Sequence, residues 1–171
     1  MQPLDRRQWA RLLAASLAAT ALPVARAGEA LKRVPELGSL LRLPDAPLLE
    51  GGEFKAAAAQ GRVVVVYWWA SWCPFCAQVT PHIQKLWQTQ RERGLQVLGL
   101  SIDQDPAAAR AYRARRGYDF PSAWVSPAVE AVLPKPQGLP VTLVRARDGR
   151  VVAAETGQLF PEDVEGLARF L

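Results

Sequence analysis

The sequence predicts an α/β domain: a mixed β-sheet flanked by helices on both faces, with an N-terminal β extension and a central βα insertion. Three observations predict it. From residue 63 onward, apolar runs of strand length alternate with segments of helical character. The last two runs, Val141–Arg145 and Val151–Glu155, flank Asp148-Gly149, a hairpin signal that makes them antiparallel. The chain is 171 residues long and half hydrophobic, which fits one domain with its own core.

Residues 1–27 read as a segment that precedes the domain. Asp5-Arg6-Arg7-Gln8-Trp9-Ala10-Arg11 leads into an apolar stretch from Leu12 to Val24, and Ala25-Arg26-Ala27 follows. A positive start, a short apolar middle and an Ala-x-Ala end make a bacterial export signal cleaved after Ala27. About 13 residues fall short of the ~20 needed to span a bilayer, which argues against an uncleaved anchor. Arg6-Arg7 with Trp9 resembles a twin-arginine signal, although Ala10 stands where leucine is commoner. An ordinary secretory signal with two arginines is the alternative. Export to the periplasm puts the thiols in an oxidising compartment.

Residues 28–36 read as a linker and 37–171 as the domain. Leu40–Leu43 and Leu48–Leu49, parted by Pro44 and Pro47, suggest two short edge strands, with Gly51-Gly52 as a turn. Glu53–Gln60 suggests a short alanine-rich helix closed by Gly61. Val63–Trp69 is β-branched and aromatic, as a buried strand requires. A helix follows through about Arg93, then a strand at Leu95–Ser101 and a helix at Pro106–Arg116 stopped by Gly117. A strand near Ser122–Val125 and a helical turn at Pro127–Leu133 precede the breaks at Pro134 and Pro136. After the hairpin, Phe160-Pro161-Glu162 opens a last helix to Leu171. Arg110, Arg113, Arg115 and Arg116 crowd one helix and read as its solvated face, with a docking patch for an acidic partner as the alternative.

The net charge is +5, but four arginines and one acid fall within residues 1–27, leaving 17 basic against 15 acidic residues. No basic stripe interleaved with aromatics remains, so nucleic acid is not an expected partner. The two cysteines form a single Cys73-Pro74-Phe75-Cys76, and His82 is the sole histidine. A four-ligand zinc site would need a second cysteine pair or two histidines, so no metal is expected. The cysteines straddle a strand-to-helix turn, where unpaired N–H groups and the helix dipole favour an anion. A thiolate at Cys73 fits that position, and Pro74 suits a first turn that asks no N–H of it. The pair reads as a redox-active dithiol that needs no separate cofactor.

Trp69-Ala70-Ser71-Trp72-Cys73-Pro74-Phe75-Cys76, with Pro81 five residues on and Gly138-Leu139-Pro140-Val141-Thr142 downstream, resembles the thioredoxin superfamily. The export signal, the N-terminal β segment and the central insertion narrow the resemblance to the TlpA/ResA-like disulfide reductases. That resemblance implies a thioredoxin-like sheet, with Cys73 as the exposed attacking thiol and Cys76 as the shielded resolving thiol. Pro140 would follow a cis bond from Leu139, whose backbone would face an extended substrate. Trp72, Pro74 and Phe75 would complete the docking surface, and Pro81 would kink the active-site helix without ending it. The implied partners are a periplasmic protein disulfide as substrate and a membrane-embedded dithiol as electron donor.

Departures from the resemblance matter too. Tyr67 and Val79 occupy positions where many relatives carry an acid that takes the proton of the second thiol. Val141 stands where cytochrome-maturation members often have glutamate. Pro74-Phe75 brings no positive charge to hold Cys73 as thiolate, which favours a reductase over a dithiol oxidase or isomerase. A copper-delivery protein is the alternative from another class, with His82 as ligand, but such proteins usually have three residues between the cysteines and a distant histidine. Trp68, Trp87 and Trp124 read as core packing.

Overall fold

The computed structural model describes residues 34–171. The segment read as an export signal and most of the expected linker lie outside the described residues. Strands β3 (Val64–Trp69), β4 (Gln96–Ser101), β5 (Ser122–Trp124), β6 (Val141–Arg145) and β7 (Val151–Thr156) form a sheet in the order β5-β4-β3-β6-β7. The β5-β4-β3 half is parallel, and β6 and β7 join it antiparallel. Helices α1 (Pro74–Gln90), α2 (Pro106–Arg116), α3 (Pro127–Val132) and α4 (Pro161–Gly166) cover it. This is the mixed, two-sided sheet expected, with β4-α2-β5 as the central insertion.

All six residues of β3 are buried because both of its faces are covered. Val65, Tyr67 and Trp69 face a cluster built from α1, α2 and α4; Val64, Val66 and Trp68 face one built from α3 and the N-terminal segment. Each such fully buried apolar side chain contributes about 1.5–3 kcal/mol relative to exposure. Beside β3, Gly99 of β4 admits Phe120 and Ser122 so closely that a Cβ there would stand 2.7 Å from both. Trp69 and Trp68 are buried, whereas Trp87 and Trp124 are half-buried at the margins of the core.

The N-terminal β extension exists but lies elsewhere than expected. Its strands are β1 (Ala46–Pro47) and β2 (Glu53–Phe54), paired antiparallel. Leu40 and Leu48 make only isolated bridges, to Arg150 and Ala123. The reason is the Gly51-Gly52 turn: both glycines have positive φ, 95° and 77°, so the strands must flank that tip. Leu41 and Leu49 serve instead as buried anchors of extended chain. The helix expected over Glu53–Gln60 is reduced to one 3-10 turn, Ala56–Ala59, because Glu53 and Phe54 are committed to β2.

The arginine-rich helix also needs correction. Arg110, Arg115 and Arg116 are exposed, but Arg113 is 1 % exposed. Its Nε donates to Glu50 Oε1 at 2.5 Å, and its second terminal nitrogen donates to Phe120 O at 2.7 Å. Its guanidinium lies 4.7 Å from the Phe120 ring centre. Arg113 therefore ties α2 to the start of β5 and to the turn after Leu49, and belongs to no solvated face. The last helix is shorter than expected: α4 ends at Gly166 and continues as a 3-10 helix over Leu167–Phe170.

Candidate active site

The loop Ala70–Cys73 leaves the end of β3 and enters α1, and Cys73 is the residue that caps that helix. Cys73 has extended backbone angles, φ −84° and ψ 114°, and Pro74 takes the first helical position. Cys73 Sγ accepts from the Cys76 N–H at 3.1 Å, so the sulfur occupies the anion site at the helix start. Cys73 and Cys76 are joined by a disulfide, with their Cα atoms 5.2 Å apart. Helix α1 runs through Pro81, as the apolar spacing beyond it requires.

Cys73 is 5 % exposed and Cys76 1 %. The exposed attacking thiol expected from the resemblance is thus nearly covered in the disulfide form. Exposure at the site belongs instead to Trp72, 63 %, and Phe75, 51 %, with Pro74 between the cysteines. Trp72 and Phe75 are thus large apolar side chains that face water and adjoin the disulfide cysteines in the chain.

Register brings the second part of the site alongside. Trp68 pairs with Val141, so β6 begins where β3 ends, and the cis Leu139–Pro140 bond lies at that end of the sheet. Pro140 O accepts from Gly157 N at 2.8 Å. A groove of about 470 Å³ opens there, lined among others by Gly138, Leu139, Pro140, Thr156 and Gly157. Leu139 is half-buried against the same cluster that holds both cysteines.

Beneath Cys76 there is a hydroxyl pair that sequence reasoning did not identify. Thr80 Oγ1 donates to Cys76 O at 2.6 Å, and the Tyr67 hydroxyl lies 2.9 Å from Thr80 Oγ1 and 3.4 Å from Cys76 O. Burial pushes the Tyr67 phenol well above its ordinary value of 10.0, opposed by the Thr80 bond. The phenol stays protonated, so it holds the Cys76 backbone but accepts no proton from the thiol. An unfolded chain ionises this tyrosine near 10 while the folded one does not. Its contribution to stability is therefore complete below pH 10 and lost as pH rises beyond it. Tyr67→Phe is expected to flatten that alkaline decline by up to one proton's worth, read from unfolding free energy against pH.

Asp103, past the end of β4, is the other unforeseen residue: its buried carboxylate receives Ser71 of the active-site loop. The signal available was Ser101-x-Asp103 at a strand end facing that loop, but nothing local pairs it with Ser71. His82 is half-buried on α1. Among the described residues, no group of three or more His, Cys, Asp and Glu side chains is arranged to hold a metal. No helix among them is long and apolar enough to cross a membrane.

The chain is similar to known proteins. The thiol-disulfide oxidoreductase ResA of Bacillus thuringiensis (strain Al Hakam) is 26 % identical over 119 residues, covering 69 % of this chain and 68 % of the relative. ResA of Halalkalibacterium halodurans is 25 % identical, covering 68 % and 66 %. Among solved structures, a thiol:disulfide interchange protein of the thioredoxin family from Chlorobium tepidum TLS superposes with a TM-score of 0.72. It is 18 % identical and covers 79 % of this chain and 97 % of that one. A secreted Mycobacterium tuberculosis disulfide oxidoreductase, homologous to E. coli DsbE, gives 0.64 at 21 % identity, covering 85 % and 100 %. At such identities these structures establish the fold alone. The AhpC/TSA family profile matches residues 41–152, well over half the chain. The chain belongs to the AhpC/TSA family and is a thiol–disulfide oxidoreductase of the thioredoxin fold.

Proposed function

We propose that the protein is exported and reduces disulfides of other periplasmic proteins through a Cys73/Cys76 dithiol–disulfide cycle. The observation that carries this reading is the Cys73 sulfur at the start of α1, receiving the Cys76 N–H at 3.1 Å. In the dithiol form that site favours the Cys73 thiolate. The thiolate attacks one sulfur of the substrate disulfide; the other sulfur leaves as thiolate and takes up a proton. Cys76 then loses its proton and attacks Cys73, forming the intramolecular disulfide and releasing the second substrate thiol. Trp72, Pro74, Phe75, Leu139 and Pro140 supply the surface on which the substrate lies. Two electrons from another dithiol, carried by a membrane-embedded donor, restore the reduced pair. The Cys73/Cys76 pair itself carries the electrons in its dithiol form, with no further cofactor.

The direction follows from charge. Pro74 and Phe75 place no cation between the thiols, so the reduced form lacks the stabilisation that makes a strong oxidant. Equilibration of the purified protein against glutathione buffers tests this. A midpoint near about −270 mV is expected, as for dithiols that work as reductants. A midpoint above about −180 mV, the range of isomerases and oxidants, would replace the reductase reading by the dithiol oxidase or isomerase one.

A further inference from the structure

Asp103 has no part in the exchange described above, yet it is a buried acid beside the redox loop, 4 % exposed. Its carboxylate accepts from Ser71 N at 3.2 and 3.1 Å, from Ser71 Oγ at 2.6 Å and from Ser101 Oγ at 2.6 Å. Its backbone is held as well: Asp103 O accepts from Trp124 Nε1 at 2.7 Å, and Asp103 N donates to Ser101 Oγ at 3.2 Å. Every one of these donors is neutral. Among the described residues no lysine, arginine or histidine forms an ion pair with Asp103. Burying a carboxylate without a counter-cation is costly, and its hydrogen bonds offset that cost only in part. An asparagine could bind the same serines without any charge to bury. What the acid adds over the amide is its negative charge, fixed to a loop two residues from Cys73.

We propose that Asp103 is a positioning residue of the redox site, fixing the Ser71–Cys73 loop while its uncompensated charge disfavours the Cys73 thiolate and so holds the couple toward the disulfide. The proposal rests on the reading of Cys73 as the thiol that ionises. The other ionisable groups near this end of the sheet are exposed or paired or, like the Tyr67 phenol against Cys76 O, kept neutral by burial. Asp105 is exposed in the turn into α2, where it accepts from Ala107 N. Glu155 is exposed near the end of β7, and Lys135, before the cis bond, pairs with Glu130. On α1 the first ionisable side chain after Cys76 is His82, nearly two turns along. The carboxylate binds Ser71, two residues before Cys73; a unit charge on the order of 10 Å from a thiol, at an effective dielectric near 20, changes its ionisation constant by about tenfold.

The effect has a signature that a merely structural role lacks. Charge acts only on the ionised thiol, so its influence on the dithiol–disulfide equilibrium must grow with pH and vanish where both proteins hold a neutral Cys73. The experiment titrates thiolate absorbance and the glutathione equilibrium across pH in wild type, Asp103→Asn and Ser71→Ala, all in the full chain. In Asp103→Asn the Cys73 pKa is expected to fall by about one unit. Its equilibrium should move toward the dithiol by about tenfold once Cys73 is ionised in both proteins, and negligibly at low pH. Ser71→Ala loosens the loop but keeps the charge, so Cys73 acidity stays as in wild type and any equilibrium shift is the same at every pH. An unchanged Cys73 pKa in Asp103→Asn overturns the proposal. So does a Cys73 pKa that falls by about one unit in Ser71→Ala, which keeps the charge; that outcome is decisive even if Asp103→Asn does not fold. Alkylation of the reduced protein followed by peptide mapping separates the two readings. Label on Cys73 with unaltered acidity in Asp103→Asn removes the role of Asp103 alone, whereas label on Cys76 removes the assignment of the attacking thiol and the proposal with it.

Discussion

Cys76→Ser is expected to turn the protein from a catalyst into a trap. Its Cys73 keeps the helix-start position and still attacks a substrate disulfide, but no second thiol stands ready to displace the substrate. The mixed disulfide should accumulate and survive non-reducing electrophoresis until an external thiol is added. Cys73→Ser should show neither adduct nor turnover, with protein-disulfide reduction falling to the uncatalysed background. Cys76 cannot substitute for it, because it is 1 % exposed and lies one helical turn inside the fold. Thr80 and Tyr67 hold its backbone there, and a thiol so placed does not meet a folded substrate. Adducts that form in Cys73→Ser and are missing from Cys76→Ser would reverse the two roles. Recovery of adducts from neither variant would count against the cycle as a whole. The Cys76→Ser adducts also yield the substrate, since the captured chain can be identified by its peptides.

Much of this site was legible because its signals are local. An apolar run of six or seven residues, two cysteines and a proline at the first helical position lie within some 14 residues, and each points to the same strand-to-helix turn. The hairpin at Asp148-Gly149 was legible for the same reason: Gly149 takes φ 88° in the turn that joins β6 to β7. Where sequence reading missed, the deciding partner lies far along the chain. Asp103 is explained by Ser71, 32 residues earlier, and Arg113 by Glu50, 63 residues earlier. The N-terminal strands were misplaced because leucines that looked like strand faces are anchors, Leu41 and Leu49 being buried in stretches that make only isolated bridges. For Arg113 one signal was present. It falls four residues after Ala109 and next to Tyr112, on the buried stripe of α2, and a charge on that stripe asks for a partner.

That partner makes Arg113 the site of the largest stability effect expected away from the cysteines. Arg113→Ala removes a guanidinium stacked on Phe120, leaves Phe120 O without its donor and opens a cavity under α2. A cost of about 3 kcal/mol is expected, at the low end for a broken buried ion pair. The low end applies because Glu50, its side chain 49 % exposed, is hydrated when left alone. Glu50→Ala takes away the exposed partner and strands the buried one, and one terminal nitrogen of Arg113 already lacks a partner among the described residues. About 2 kcal/mol is expected there, more than an exposed glutamate ordinarily commands. Arg113→Met keeps much of the volume and removes the charge, so its cost should be nearer 1 kcal/mol. Urea unfolding of the three variants checks the order. An Arg113→Met that is as unstable as Arg113→Ala would mean that the hydrogen bonds to Glu50 and Phe120, rather than filled volume, hold α2 against the start of β5. A Glu50→Ala without effect would mean that water serves the guanidinium as well as the carboxylate does.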